Sequence, residues 1–154
     1  MILILTGPTQ SRKTTTLRKW CESRTDCGGV LSPDVDGLRV LYNIKTKATI
    51  DWQRKIPIPG DMIVGRFSFD PNGFVSGYSW LNDHVADPKI KYIVLDEVGK
   101  LELDGKGWDT WLRSALPLPE DKTLVLVIRR SLLDEIINRY QLEEVSVVDR
   151  DYFT

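Results

Sequence analysis

Five apolar residues, Met1-Ile2-Leu3-Ile4-Leu5, open the chain and stop at Thr6-Gly7-Pro8. An unbroken apolar run ending at a Gly-Pro turn signal predicts a strand buried on both faces, the environment of a central strand in a parallel sheet. Beyond the turn, Leu17, Trp20 and Cys21 recur at helical spacing among charged neighbours, and Gly28-Gly29 is expected to stop that helix. The opening unit is therefore strand, loop, helix. The last third alternates in the same way: strand Tyr92 to Leu95, helix Trp108 to Leu116, strand Thr123 to Ile128, helix Leu132 to Tyr140, strand Val145 to Val148. This alternation predicts an α/β fold, a mainly parallel sheet with helices on both faces.

The middle of the chain reads differently. Val30-Leu31, a turn-rich stretch and Leu38 to Ile44 predict a hairpin turning at Asp36-Gly37, and Ala48 to Trp52 adds another strand. Pro57, Pro59 and Gly60 interrupt the chain before Ile63 to Phe69, whose alternation predicts one further strand. Together these form an antiparallel hairpin insertion. A helix follows, with Asp70 as N-cap, Pro71 at its first position, and Phe74, Tyr78, Leu81 and Val85 on one face.

With 154 residues, 42% of them hydrophobic, residues 1–154 are expected to fold as one domain around a packed core. Lys and Arg total 21 against 22 Asp and Glu, so no global field draws the chain to nucleic acid or an anionic membrane. Any phosphate recognition must be local. Cys21 and Cys27, at a helix and its exit, suit neither a zinc knuckle nor a disulfide framework, and a reducing, cytoplasmic setting is expected. No stretch approaches the roughly 20 apolar residues that span a bilayer.

Chemistry enters at Gly7-Pro8-Thr9-Gln10-Ser11-Arg12-Lys13-Thr14-Thr15, between the first strand and the first helix. A phosphate-binding loop of the pattern GxxxxGK[ST] occupies this place in nucleotide-binding folds. Its backbone N–H groups wrap the phosphates, its Lys reaches the β- and γ-phosphates, and its hydroxyl holds Mg²⁺. Gly7, Lys13 and Thr14 match; Arg12 stands where the pattern has Gly. The helix that follows adds the partial positive charge of its N-terminus. A side chain at position 12 either adopts positive φ within the usual loop path or displaces that path and opens the amide cradle. Displacement is the expectation here.

The second constellation is Tyr92-Ile93-Val94-Leu95-Asp96-Glu97, an apolar strand ending in two carboxylates. At such a strand end an Asp supports the Mg²⁺ shell and a following Glu takes the proton of an attacking water. Adjacent residues there diverge, as the two roles require. Arg129-Arg130 follow a later strand; one guanidinium could reach the γ-phosphate, or the pair could be a solvated loop. His84 has no partners at metal spacing and is expected on the surface or at a helix cap. Trp108 and Trp111 are expected to pack; Trp52 and Trp80 either pack or stack on a base. Lys100 and Glu102 either pair with each other or cap a helix.

The sequence resembles the small nucleoside-triphosphatase family often called cancer-related nucleoside triphosphatase. The likeness runs over most of the chain: Leu5-Thr6-Gly7-Pro8, Lys13-Thr14-Thr15 with Leu17, the hairpin after the first helix, Val64-Gly65-Arg66-Phe67, and above all Leu95-Asp96-Glu97-Val98-Gly99-Lys100-Leu101-Glu102-Leu103. The resemblance implies a RecA-like P-loop NTPase fold, Mg²⁺ dependence and slow hydrolysis of nucleoside triphosphates such as ATP or GTP. By position it assigns phosphate and Mg²⁺ to Lys13 and Thr14, metal support to Asp96 and the catalytic carboxylate to Glu97. The chain departs from the family pattern at Gln10 and Arg12, where the family has Gly. It also lacks an Arg or Lys at Val35-Asp36-Gly37 and a basic, Pro-rich loop at Arg129-Arg130. Three readings follow: a Mg²⁺-dependent triphosphatase; a small nucleotide kinase; and a homologue or sensor that binds without hydrolysis, supported by Gln10 and Arg12. The adjacent Asp96-Glu97 and the lack of an Arg-rich lid favour hydrolysis over the kinase.

Overall fold

A computed structural model describes residues 1–8 and 12–154. In chain order the elements are β1 (Ile2–Leu5), α1 (Lys13–Glu22), β2 (Cys27–Leu31), β3 (Asp34–Val35), β4 (Leu38–Asn43), β5 (Thr49–Asp51), β6 (Gln53–Arg54), β7 (Met62–Val64) and β8 (Phe67–Phe69). Then come α2 (Pro71–Ala86), β9 (Tyr92–Leu95), α3 (Lys100–Leu103), α4 (Asp109–Ala115), β10 (Thr123–Val127), α5 (Leu133–Arg139) and β11 (Val145–Val148). Short 3₁₀ turns, Arg130–Leu132 and Arg150–Phe153, precede α5 and follow β11.

The main sheet runs in the order β11-β1-β10-β9-β2-β4-β3, with β5 also on β4. The strands from β11 to β2 are all parallel, and β1 lies inside the edge strand β11, paired with β10 through Leu3↔Val125 and with β11 through Leu3↔Ser146. Alternate residues of these strands face opposite helix layers. Ile4, Ile93, Leu95, Leu124 and Leu126 share one core with Phe74 and Leu81 of α2, Trp111 of α4 and Ile136 of α5. Leu3, Leu5, Val94, Val125 and Val127 share the other with Leu17 and Cys21 of α1. Fully burying a side chain such as Ile4 or Leu5 contributes about 1.5–3 kcal/mol, so the opening run anchors both layers. The fold is the expected α/β sheet with helices on both faces.

The insertion between β2 and α2 is antiparallel, as its turn signals require. Asp36 and Gly37 turn the β3–β4 hairpin at φ 54° and 85°, the pair of positive angles that a two-residue hairpin prefers. The stretch from Ile63 to Phe69 is a second hairpin, not one strand: it folds at Gly65, φ 56°, so that Val64 pairs with Phe67, and β6-β8-β7 forms a separate small sheet. Alternation persists through a two-residue turn, which hides the break. Asp70 caps α2 by accepting from the Asn72 N–H at 3.0 Å, with Pro71 in the first turn.

Two local expectations fail for a shared reason. α1 ends at Glu22, and Gly28-Gly29 lie inside β2 instead of stopping a helix. At Gly29, φ +107°, a Cβ would stand 2.0 Å from the Val94 carbonyl oxygen, so close strand approach explains this glycine. At Gly28 a Cβ would meet His84 at 2.9 Å. His84 is not a surface or capping residue: it is buried, and its Nδ1 accepts the Gly29 N–H at 2.7 Å, tying α2 to the sheet. Burial, aided by Lys45, lowers its pKa and keeps the imidazole neutral enough to accept. Trp52, Trp108 and Trp111 are buried and pack.

Candidate functional site

Parallel strands carry their C-terminal ends to one edge, where open α/β sheets place ligands. Here that edge gathers Gly7 after β1, Ser32 after β2, Asp96 and Glu97 after β9, and Arg129 after β10. α1 begins at the same edge with Lys13, so its N-terminal partial charge faces the same space.

Asp96 is the centre of the arrangement. Its Oδ2 accepts from the Thr14 hydroxyl at 2.7 Å and from the Ser32 backbone N–H at 3.0 Å. Its Oδ1 is buried and has no hydrogen-bond partner among the described residues. Burial pushes the carboxyl up to about 6, with Glu97 adding to the rise against the opposing Ser32 and Thr14 bonds and the charge of Arg39. A buried carboxylate oxygen without a donor is costly, and a hard divalent cation is the partner that such an oxygen fits. Among the described residues no group of three or more His, Cys, Asp or Glu is arranged to hold a metal. Mg²⁺ suits this poverty of protein ligands, because it retains waters and substrate oxygens in its shell. Thr14 and Asp96 are the side chains that fit it.

Lys13 donates to the Pro8 carbonyl at 2.9 Å and the Gly7 carbonyl at 3.4 Å, which folds its ammonium back over the start of the loop. Burial lowers its pKa, opposed by Asp96 and Glu97, while Arg129 acts in the same direction as burial. Arg129 is therefore close enough to the lysine to share its field. Arg130 begins the 3₁₀ turn that leads into α5.

Arg12 adopts φ 59°, ψ 34° at the N-cap of α1, whereas the expected displacement of the loop path falls on residues 9–11, outside the described residues. Left-handed backbone at a side-chain-bearing residue costs about 1–2 kcal/mol. Pro8 and Thr15 are exposed and Gly7 is half-buried. The expectations for Thr9, Gln10 and Ser11 lie outside the described residues.

Glu97 also has positive φ, 59°, and its exposed carboxylate pairs with Arg39 of β4. Strain of this kind collects at functional sites when the surroundings hold it. Sequence reasoning missed Arg39. It sought a cation at the hairpin turn, Val35-Asp36-Gly37, whereas the guanidinium comes from the returning strand. The available signal was the turn itself, which fixes the register of β4 and carries Arg39 back toward β9. Ser32 was missed too, because its contribution is a backbone N–H.

No curated protein matches the sequence. Among solved structures, a human cancer-related nucleoside triphosphatase aligns with 96% of this chain and 87% of its own, at TM-score 0.71 and 25% identity. THEP1 from the hyperthermophile Aquifex aeolicus aligns with 97% of this chain and 89% of its own, at TM-score 0.75 and 18% identity, a likeness of fold. The profile of the NTPase family matches residues 2–154, and the chain belongs to that family.

Proposed function

We propose that this protein binds a nucleoside triphosphate, ATP or GTP, with Mg²⁺ and hydrolyses it slowly to the diphosphate and phosphate. The observation that carries this reading is the Thr14–Asp96 hydrogen bond, which joins the loop to the carboxylate strand end and leaves Asp96 Oδ1 without a partner among the described residues. Residues Gly7 to Thr15 cradle the phosphates, and Lys13 exchanges the Gly7 and Pro8 carbonyls for β- and γ-phosphate oxygens. Bound Mg²⁺, held by Thr14 and Asp96, supplies neutralisation of the phosphate charge. Glu97 accepts a proton from water as the water oxygen bonds to the γ-phosphorus and the bond to the diphosphate oxygen breaks. Arg39 holds the Glu97 carboxylate and must share it for that proton to be taken, one reason to expect slow turnover.

The test is phosphate release with Mg²⁺ and ATP or GTP by wild type and Glu97→Gln. The amide keeps the shape but cannot take the proton, so turnover should fall by roughly 10²-fold or more with nucleotide still bound. Equal phosphate release by the two proteins refutes the assignment of Glu97.

A further inference from the structure

The connector after β9 contains a buried carboxylate that the proposed reaction does not use. Glu102, in α3, is 2% exposed, and its two oxygens are both engaged by backbone donors. Oε1 accepts the Gly99 N–H at 2.7 Å, and Oε2 accepts the Trp108 N–H at 2.8 Å. Asp109, of the same sign, adds to the cost of its charge, although Asp109 is itself paired with Arg113 and Arg139. A carboxylate buried among backbone donors beside a like charge destabilises a fold relative to an apolar side chain of similar volume. The chain also yields position 107 to it. Gly107 has φ +62°, and a Cβ there would stand 2.0 Å from Oε2 of Glu102.

What this carboxylate holds is the path that leads away from Glu97. Val98 donates to the Val127 carbonyl at 2.9 Å, which fixes the residue after Glu97 to β10. Gly99, next along, is fixed by Glu102 Oε1, and through Oε2 the same carboxylate is tied to Trp108, which is buried in the core. The Tyr78 hydroxyl donates to the Gly107 carbonyl at 2.6 Å and secures the far side to α2. Glu97 is thus held at positive φ by anchors that begin one residue away. A left-handed residue persists only when its surroundings over-determine it, and this clamp is the over-determination.

We propose that Glu102 is a positioning residue for Glu97, its carboxylate holding the Gly99 and Trp108 N–H groups so that the connector aims Glu97 at the γ-phosphate; the inference rests on the hydrolytic reading of Glu97. Glu102→Gln keeps the volume but opposes one of the two N–H groups with an amide N–H.

The experiment is a kinetic double-mutant cycle on the full chain, with kcat from phosphate release and Kd for Mg²⁺-ATP from calorimetry. Glu102→Gln should lower kcat about tenfold while Kd stays within about twofold, and in the Glu97→Gln background it should change kcat by less than about twofold, since a residue that acts only through another adds nothing once that other is gone. A kcat loss of the same size in both backgrounds, or none in either, overturns the proposal. If Glu97→Gln alone leaves kcat unchanged, the hydrolytic reading fails first and the inference with it. Should Glu102→Gln not fold, Gly107→Ala displaces Oε2 without altering the charge; the same separation of kcat from Kd is expected, and unchanged kcat overturns the clamp.

Discussion

Glu102 also makes a thermodynamic prediction that needs no substrate. Burial pushes its carboxyl from an ordinary 4.5 up to about 7, against the lowering effect of the Gly99 and Trp108 N–H bonds. The folded value lies above the unfolded one, so the native state binds the extra proton between them. The stability contributed by this group is then fully present below about pH 4.5 and is lost as pH rises through about 7. Integrated between pH 5 and pH 8, the loss is about 2–3 kcal/mol, with one unit of pKa worth about 1.4 kcal/mol. Urea unfolding of wild type and Glu102→Gln at several pH values isolates it, because Asp96, His84 and the surface carboxylates titrate in both proteins and cancel in the difference. The amide leaves a constant deficit of about 1–3 kcal/mol from its mismatched donor. Wild type should exceed the variant by the most at pH 5, and that margin should shrink by about 2–3 kcal/mol at pH 8. A margin independent of pH would show that Glu102 titrates near its unfolded value, and the account of a carboxyl raised by burial would be wrong.

Lys13→Ala should weaken Mg²⁺-ATP binding by roughly 2 kcal/mol, about 30-fold in Kd by calorimetry, and equal affinities would remove the lysine from the phosphate site. Gly29→Ala forces a Cβ to 2.0 Å from the Val94 carbonyl oxygen at φ +107°, so thermal unfolding should show a loss of about 3 kcal/mol or more; a loss under about 1 would mean that β2 and β9 separate easily. His84 has a folded pKa below 6.5, so the stability it contributes is full above that value and declines as pH falls beneath it. The margin of wild type over His84→Gln should narrow in that range, and a margin that widens on acidification would contradict the neutral acceptor. Arg12→Gly relieves the left-handed residue at the N-cap of α1 and should raise stability by about 1 kcal/mol, checked by urea unfolding; an unchanged midpoint would show that the Arg12 side chain offsets its backbone strain.

Much of the architecture could be read locally because local rules produce it. The Ile2–Leu5 run is buried on both faces, Asp36-Gly37 turns a hairpin, and Asp70-Pro71 starts a helix, each from a preference contained within a few residues. The failures share one origin. Gly28-Gly29 reads as a helix stop until Val94 and His84 are seen beside it, and Gly65-Arg66 passes as part of a strand because period-two alternation survives the turn.

By itself the sequence determined the parallel α/β frame, the antiparallel insertion, and the two segments, Gly7 to Thr15 and Asp96-Glu97, whose residue types suit phosphate and metal chemistry. Periodicity, turn residues and motif spacing are properties of the chain, and they need no partner to be expressed. Only the tertiary structure decided that Thr14 donates to Asp96, that Arg39 pairs with Glu97, that His84 holds Gly29, and that Glu102 grips both Gly99 and Trp108. The first of these spans 82 residues and the third 55. Such contacts arise from strand order and helix packing, which bring distant segments to one edge or into one core, and no short-range pattern records which neighbour will stand there.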